Sequence, residues 1–244
     1  MLFESSWLIG LHIPPDLLPS WLMWLANFLF FVILAAAGWQ APIRGLLNNR
    51  PSQHVYFGAM VVLLLMWGVK AGITPGLGFH HLGATLFTLM FGWPLAIFGL
   101  TTVLMLSLIL QNGTAGFLPY DEMLLQLSSL GINALLSIVV PVWVSWIVLK
   151  FTQQKLPENF FIYIFIVAFF GAGIAVAVSR LAAMLLFWFA NAYPDHTLIS
   201  QSLLMLPLFM FPEAFITGML ISIFVVYKPS WVVTFDDERY LTGK

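Results

Sequence analysis

Residues 72–94, "GITPGLGFHHLGATLFTLMFGWP", set two adjacent histidines between a glycine-rich loop and an apolar run that stops at Gly-Trp-Pro. How this stretch is read fixes how often the chain crosses a membrane. From His80 to Gln111 the residues are apolar enough for one long tilted helix or for two spans broken around Gly92. Pro94 disfavours helical geometry at Trp93 and Gly92 weakens the turn before it, so a break is expected there. If the chain turns at a membrane surface near Gly92, the segment back to His81 has about twelve residues and rises only about 18 Å. That is too short to reach the opposite surface. The preceding loop must then dip into the membrane, where irregular backbone is tolerated only inside protein or beside a wet cavity. His80 is expected in such a cavity.

The rest of the chain fits a membrane solvent. Of 244 residues, 61% are hydrophobic and only 8% charged, with a mean hydropathy of +0.98. Five further apolar runs, residues 18–39, 55–72, 129–148, 160–190 and 203–227, are long enough to span hydrocarbon about 30 Å thick. With the break at Gly92, the expected fold is all-α: a polytopic membrane bundle of about seven transmembrane helices in the lipid bilayer. It forms a single domain over 1–244, with an outer N-terminal segment at 1–17 and a cytoplasmic tail at 229–244. An outside N-terminus and inside C-terminus put Arg44, Arg50, Lys150, Lys155, Lys228, Arg239 and Lys244 in the cytoplasm and leave Lys70 and Arg180 toward the other side. One unbroken span would instead turn the last five of those cytoplasmic charges outward.

Net charge is -1, which offers no basic surface and excludes nucleic acid as a partner. Cysteine is absent, removing disulfides, thiolate metal ligands and cysteine nucleophiles together. The first residues carry Glu4, no Lys or Arg and only a short apolar run, so they read as part of the mature protein and not as a secretory leader. The termini are expected to be the unstructured pieces.

Polar residues inside the spans are the candidates for function. Glu213 sits near the centre of the last run, where a carboxylate is costly without a partner. Arg180, the other unambiguous charge within a span, is expected to pair with it. Pro207 and Pro212 bracket "LFMF" and are expected to bend or unwind the last helix, and broken helices often line transporter sites. The run "GAGIAVAVSRLAA", Gly171 to Ala183, suits close helix packing. Outer loops would carry His12, Asp121, Glu122, Asp195 and His196, with His54 on the cytoplasmic side. His80 and His81 fit either metal ligation or a bland role, capping the next helix or bonding loop carbonyls. Adjacent residues on a helix point about 100° apart, so both could chelate one ion only from a loop.

"GLHIPPDLLPSW", "HHLGATLFTLMFGWPLAIFG", "SLGINALLSIVVP" and "PEAFITG" follow one another in an order that resembles the CbiM/NikM membrane proteins, from about residue 10 to about residue 228. These are substrate-capture components of energy-coupling-factor transporters for cobalt and nickel. The resemblance implies an all-nitrogen metal site. In the family, a histidine following the initiating methionine, with the free amine and a neighbouring amide nitrogen, is completed by a histidine before the third helix. His12 matches the early histidine, His80 the later one, and Asn133 a buried polar residue that braces the loop. Here about eleven residues precede His12, which leaves three alternatives: a site rebuilt with His81 or a carboxylate, a leader trimmed before Leu11, or a changed ligand.

The resemblance implies a membrane subunit of an ABC-type uptake system in the bacterial cytoplasmic (inner) membrane, binding Co or Ni. Nitrogen ligation also admits Cu(II). No nucleotide-binding loop is present, so cytoplasmic ATPase subunits and a transmembrane coupling subunit are the implied partners. The alternative is a descendant that holds or delivers metal to a membrane enzyme without transporting it. An enzyme is not expected: the chain has neither an HExxH helix nor cysteine, and no Ser-His pairing is evident from spacing.

Overall fold

The computed structural model describes residues 13, 14, 16–68, 74, 76–78, 82–114, 127–236 and 240. These form helices α1 Ser20–Gln40, α2 Ile43–Leu47, α3 Arg50–Gly68, α4 Ala84–Phe91 and α5 Trp93–Thr114. Three longer helices follow, α6 Leu130–Lys155, α7 Phe160–Phe189 and α8 Asp195–Tyr227. A short 3-10 turn, Pro229–Trp231, closes α8.

Helices α1, α6, α7 and α8 are long and apolar enough to cross a membrane, and α5 adds a shorter apolar stretch, Trp93–Ser107. Their burial is the reverse of a water-soluble protein's. Trp24, Phe28, Phe31, Phe165, Phe211 and Phe215 are exposed, whereas Asn27, Thr88, Ser145, Glu213 and Thr217 are buried. Lipid solvates the large apolar side chains, so small and polar residues are free to make the helix contacts.

The chain breaks at Gly92. Helix α4 stops at Phe91, Gly92 takes φ 79, and α5 begins at Trp93. A positive φ is open to glycine because it has no Cβ to collide with the backbone. With 8 residues, α4 is about 12 Å long and cannot cross the bilayer. It lies instead inside the bundle, with every residue buried except the half-buried Leu86. Tyr56 of α3 stands against it, 5.5 Å from the Phe87 ring and 5.0 Å from the Phe91 ring, and donates its hydroxyl to the Leu95 carbonyl at 2.9 Å.

Three expectations are corrected. The last span begins at Asp195, not near residue 203, because its first turns, "DHTLISQS", are too polar to register as a membrane segment. It passes through a π-helical turn, Ile199–Leu203, loosens at Leu204 and Met205 just before Pro207, and then runs helically through Pro212. The irregularity therefore precedes the first proline and does not fall at the second. The C-terminal side of α8 is also ordered beyond the helix: Val233 N donates to the Met90 carbonyl at 3.1 Å and Thr234 N to the Leu89 carbonyl at 3.3 Å. Residues 229–236 are thus not an unstructured terminus.

Small residues set the closest helix approaches. On α7, Gly171, Ala172, Gly173, Ala175 and Ala183 are buried, and a Cβ on Gly173 would lie 3.7 Å from the Ala214 Cβ of α8. The α1–α6 crossing is tighter, since a Cβ on Gly131 would fall 2.4 Å from Asn27 Cα and 2.5 Å from Asn27 N. Backbone cannot yield as a side-chain tip can. Gly131→Ala is therefore expected to push α1 from α6 and destabilise the bundle by about 1–3 kcal/mol, read as a lower thermal midpoint of the detergent-solubilised protein.

Candidate functional site

A short helix surrounded by apolar side chains has unsatisfied amides at its start and unsatisfied carbonyls at its end. At the entry to α4 a distant carboxylate takes the two amides that precede the helix. Leu82 N donates to Glu213 Oε2 at 2.9 Å and Gly83 N to Glu213 Oε1 at 2.7 Å. Negative charge at a helix N-terminus is also favoured by the aligned peptide dipoles. Gly83 has φ 65, and a Cβ there would lie 2.3 Å from Leu63 Cδ2. The Leu82 carbonyl accepts from Trp67 Nε1 at 3.2 Å. The backbone directly after His81 is thereby held on both its donor and acceptor sides.

The other end of α4 is completed from the same region of the chain. Thr234 Oγ1 donates to the Leu89 carbonyl at 2.7 Å and lies 2.7 Å from the Tyr163 hydroxyl of α7. Between the ends, Thr85 Oγ1 and Ser145 Oγ are 2.7 Å apart. Ser145 also donates to the Pro141 carbonyl, which leaves Thr85 to supply the shared proton.

Asn133 organises a second piece of irregular backbone. Its Oδ1 accepts from Ile13 N at 3.0 Å, while its Nδ2 donates to the Ile13 carbonyl at 3.1 Å and the Ser129 carbonyl at 2.8 Å. Ile13, Leu18, Leu77, Phe187 and Leu198 then pack in one apolar cluster at this end of the bundle. Asn27, a polar residue in the apolar run of α1, does the same for the entry to α6. It donates to the Met23 and Ser128 carbonyls at 3.0 and 2.6 Å and accepts from Gly131 N at 2.9 Å.

His12, His80 and His81 lie outside the described residues, as do Lys70, Asp121, Glu122 and Arg239. Described residues near them in the sequence converge nonetheless. Ile13, Gly76, Gly78 and Leu82 line one cavity of about 30 Å³, whose other walls include Asn133, Ser137, Ser179 and Arg180. His54 and His196 are exposed and lie apart from it. Among the described residues no group of three or more His, Asp or Glu side chains comes together as a metal site.

The expected Arg180–Glu213 ion pair is not formed. Glu213 is taken up by the two amides just before α4, those of Leu82 and Gly83, and the Arg180 guanidinium lies 4.8 Å from the centre of the Phe209 ring. A buried carboxylate is relieved by backbone N–H groups as well as by a cation, and the turn that leads into α4 supplies two of them. Sequence reasoning also missed Asn27, Trp67 and Thr234. The signal for Asn27 was an amide side chain within an otherwise apolar run, whereas Trp67 and Thr234 carry none that distinguishes them from lipid-facing or tail residues.

A family model described as "Cobalt uptake substrate-specific transmembrane region" matches residues 12–231. A solved structure described as a truncated transition metal transporter superposes with a TM-score of 0.66 at 18% sequence identity, covering 88% of this chain and 98% of that one. No curated protein matches the chain in sequence.

Two substitutions test the geometry. In Glu213→Gln one amide hydrogen bond is replaced by an N–H facing an N–H, so stability should fall by about 1.5–3 kcal/mol; an unchanged thermal midpoint would show that α4 does not need this carboxylate. Asn133→Leu leaves both backbone groups of Ile13 without their partner. Hydrogen exchange at residues 13–19 should quicken while the remaining bundle keeps its protection.

Proposed function

The chain belongs to the CbiM family of cobalt-uptake, substrate-specific transmembrane regions, and from that premise we propose that it captures a divalent transition-metal ion, Co(II) or Ni(II), with His12, His80 and His81. It is a multi-pass membrane protein and a transport component, not an enzyme. The observation that carries the ligand assignment is the shared cavity: Ile13 follows His12, and Gly78 and Leu82 flank His80 and His81, yet all three line the same small space. Segments about 65 residues apart in sequence meet there because Asn133 holds one and Glu213 with Trp67 holds the other. Imidazole nitrogen suits Co(II), Ni(II) and Cu(II).

The orientation follows from charge. Arg44 and Arg50 between α1 and α3, Lys150 and Lys155 at the end of α6, and Lys228 at the end of α8 belong to the Gly92 end of the bundle. That end faces the cytoplasm, by the excess of positive charge on cytoplasmic segments. The chain then crosses about seven times, counting the α4 segment with its preceding loop, with residues 1–17 outside and 229–244 inside. The metal site opens outward in a bacterial inner membrane, and cytoplasmic ATPase subunits with a transmembrane coupling subunit supply the work of release.

Calorimetric titration of the purified full chain tests this reading. Wild-type protein should bind Co(II) or Ni(II), and His80→Ala should weaken binding at least about tenfold, equivalent to about 1.4 kcal/mol. Equal affinity in the two proteins would remove His80 from the site.

A further inference from the structure

A cavity of about 380 Å³ lies at the Gly92 end of the bundle, between the α2–α3 corner, the end of α4 and the segment after α8. Met90, Phe91 and Leu95 on its lining are buried, whereas Gly45, Asn49 and Ser230 are exposed, so it runs from a polar mouth to an apolar floor. The α2–α3 corner is fixed, because Gln53 Nε2 donates to the Leu46 and Leu47 carbonyls at 3.2 and 2.6 Å. Asn49 Oδ1 accepts from Ser52 N at 3.3 Å, while the Asn49 amide nitrogen and the Ser52 and Ser230 hydroxyls have no acceptor among the described residues. In the three enclosing segments, 39–55, 89–96 and 228–236, the cations are Arg44, Arg50 and Lys228, the one carboxylate is Asp236, and His54 is the remaining imidazole. All three cations are exposed and make no ion pair among the described residues.

The side chains around the mouth belong at a membrane surface. Trp39, at the end of α1, is 93% exposed, and Ile43 and Leu47, one turn apart on α2, are exposed as well. Apolar groups in that position are solvated by lipid close to its headgroups, the depth at which tryptophan collects, and Arg44 and Arg50 stand in the same stretch of chain. The mouth therefore opens at the level of the lipid phosphates. We infer that the cavity holds one anionic phospholipid, with an acyl chain against Met90, Phe91 and Leu95 and the phosphate among Arg44, Arg50 and Lys228. Each basic side chain near an anionic lipid surface contributes about fivefold in affinity. A free phosphate would use these cations but not the apolar floor, and a zwitterionic lipid would use the floor but add its own cation to three others. Of the occupants with both chemistries, the lipid is the one already present at this depth. The bound chain touches the end of α4 at Met90 and Phe91 and also Trp231 and Val233 of the segment that holds it. It thereby fastens the Gly92 end of α4 from the membrane side. The inference goes beyond metal capture and does not depend on which residues hold the metal.

Native mass spectrometry and thermal melting of the full-length chain in neutral detergent test this, with dioleoyl phosphatidylglycerol or dioleoyl phosphatidylcholine as the added lipid. One phosphatidylglycerol per chain should survive activation that strips the others, bound at least about tenfold tighter than phosphatidylcholine, and the thermal midpoint should rise with it. Gly45→Phe should remove this lipid. Gly45 lines the cavity and nothing lies within 4 Å of where its Cβ would stand, so the ring fills the mouth without moving the backbone. Arg44→Gln combined with Arg50→Gln should lower retention of phosphatidylglycerol to that of phosphatidylcholine and leave the latter unchanged. Equal retention of the two lipids by the wild-type protein overturns the proposal. So does a Gly45→Phe protein that keeps its phosphatidylglycerol, which would put the lipid on the basic surface outside the cavity. Displacement of the lipid by equimolar inorganic phosphate assigns a free-anion site instead. A lipid found on the isolated chain but missing from its complexes with other subunits assigns the cavity to a protein segment and overturns the proposal as well. The wild-type comparison of the two lipids decides the matter even if the variants fail to fold.

Discussion

An eight-residue helix buried inside an apolar bundle must find protein partners for most of its terminal amides and carbonyls. Each unsatisfied backbone group in such surroundings costs several kcal/mol. The arrangement around α4 is a response to that constraint. The two amides that lead into it, Leu82 and Gly83, go to Glu213 and its last carbonyls to Val233 and Thr234, so both flanks are held by α8 and the segment that follows it. The short helix in turn leaves room at its entry for residues 76–78, of which Leu77 is buried.

This makes α8 a strut joining the two ends of the molecule. Glu213 grips the turn that follows the histidine pair, and Val233 and Thr234 grip the opposite end of α4, next to the cavity of about 380 Å³ lined by Pro42, Asn49, Phe91, Leu95 and Trp231. Rigid elements that contact two sites at once are the physical means by which motion at one is felt at the other. Tyr163 reaches the same segment through Thr234, which ties α7 into the connection.

The break at Gly92 was legible because proline and glycine limit the backbone whatever surrounds them. The membrane setting was equally legible, because composition alone decides which solvent the surface must face. What could not be read was the identity of partners separated by more than a hundred residues. Glu213 and Arg180 are opposite charges in adjacent spans, and pairing them is the economical guess, but the amides of Leu82 and Gly83 are donors that no residue name reveals. The polar opening turns of α8 hid its true start for a related reason: hydropathy reports the solvent a segment meets, and Asp195 to Ser202 meet the protein's rim as well as the hydrocarbon. Asn27 and Asn133 differ in that a lone amide in an apolar run announces that it has backbone to hold, without saying which.

The separation of α4 from the groups that complete it has a bearing on biosynthesis. Residues 82 and 83 await a carboxylate 130 or 131 positions later, and Leu89 awaits a hydroxyl 145 positions later. A ribosome that releases the chain from its N-terminus delivers the short helix long before either arrives. Assembly of this bundle therefore cannot proceed strictly in the order of translation: the short buried helix is the fourth to be made, in the first half of the sequence, yet reaches its final state only when Thr234 has left the ribosome.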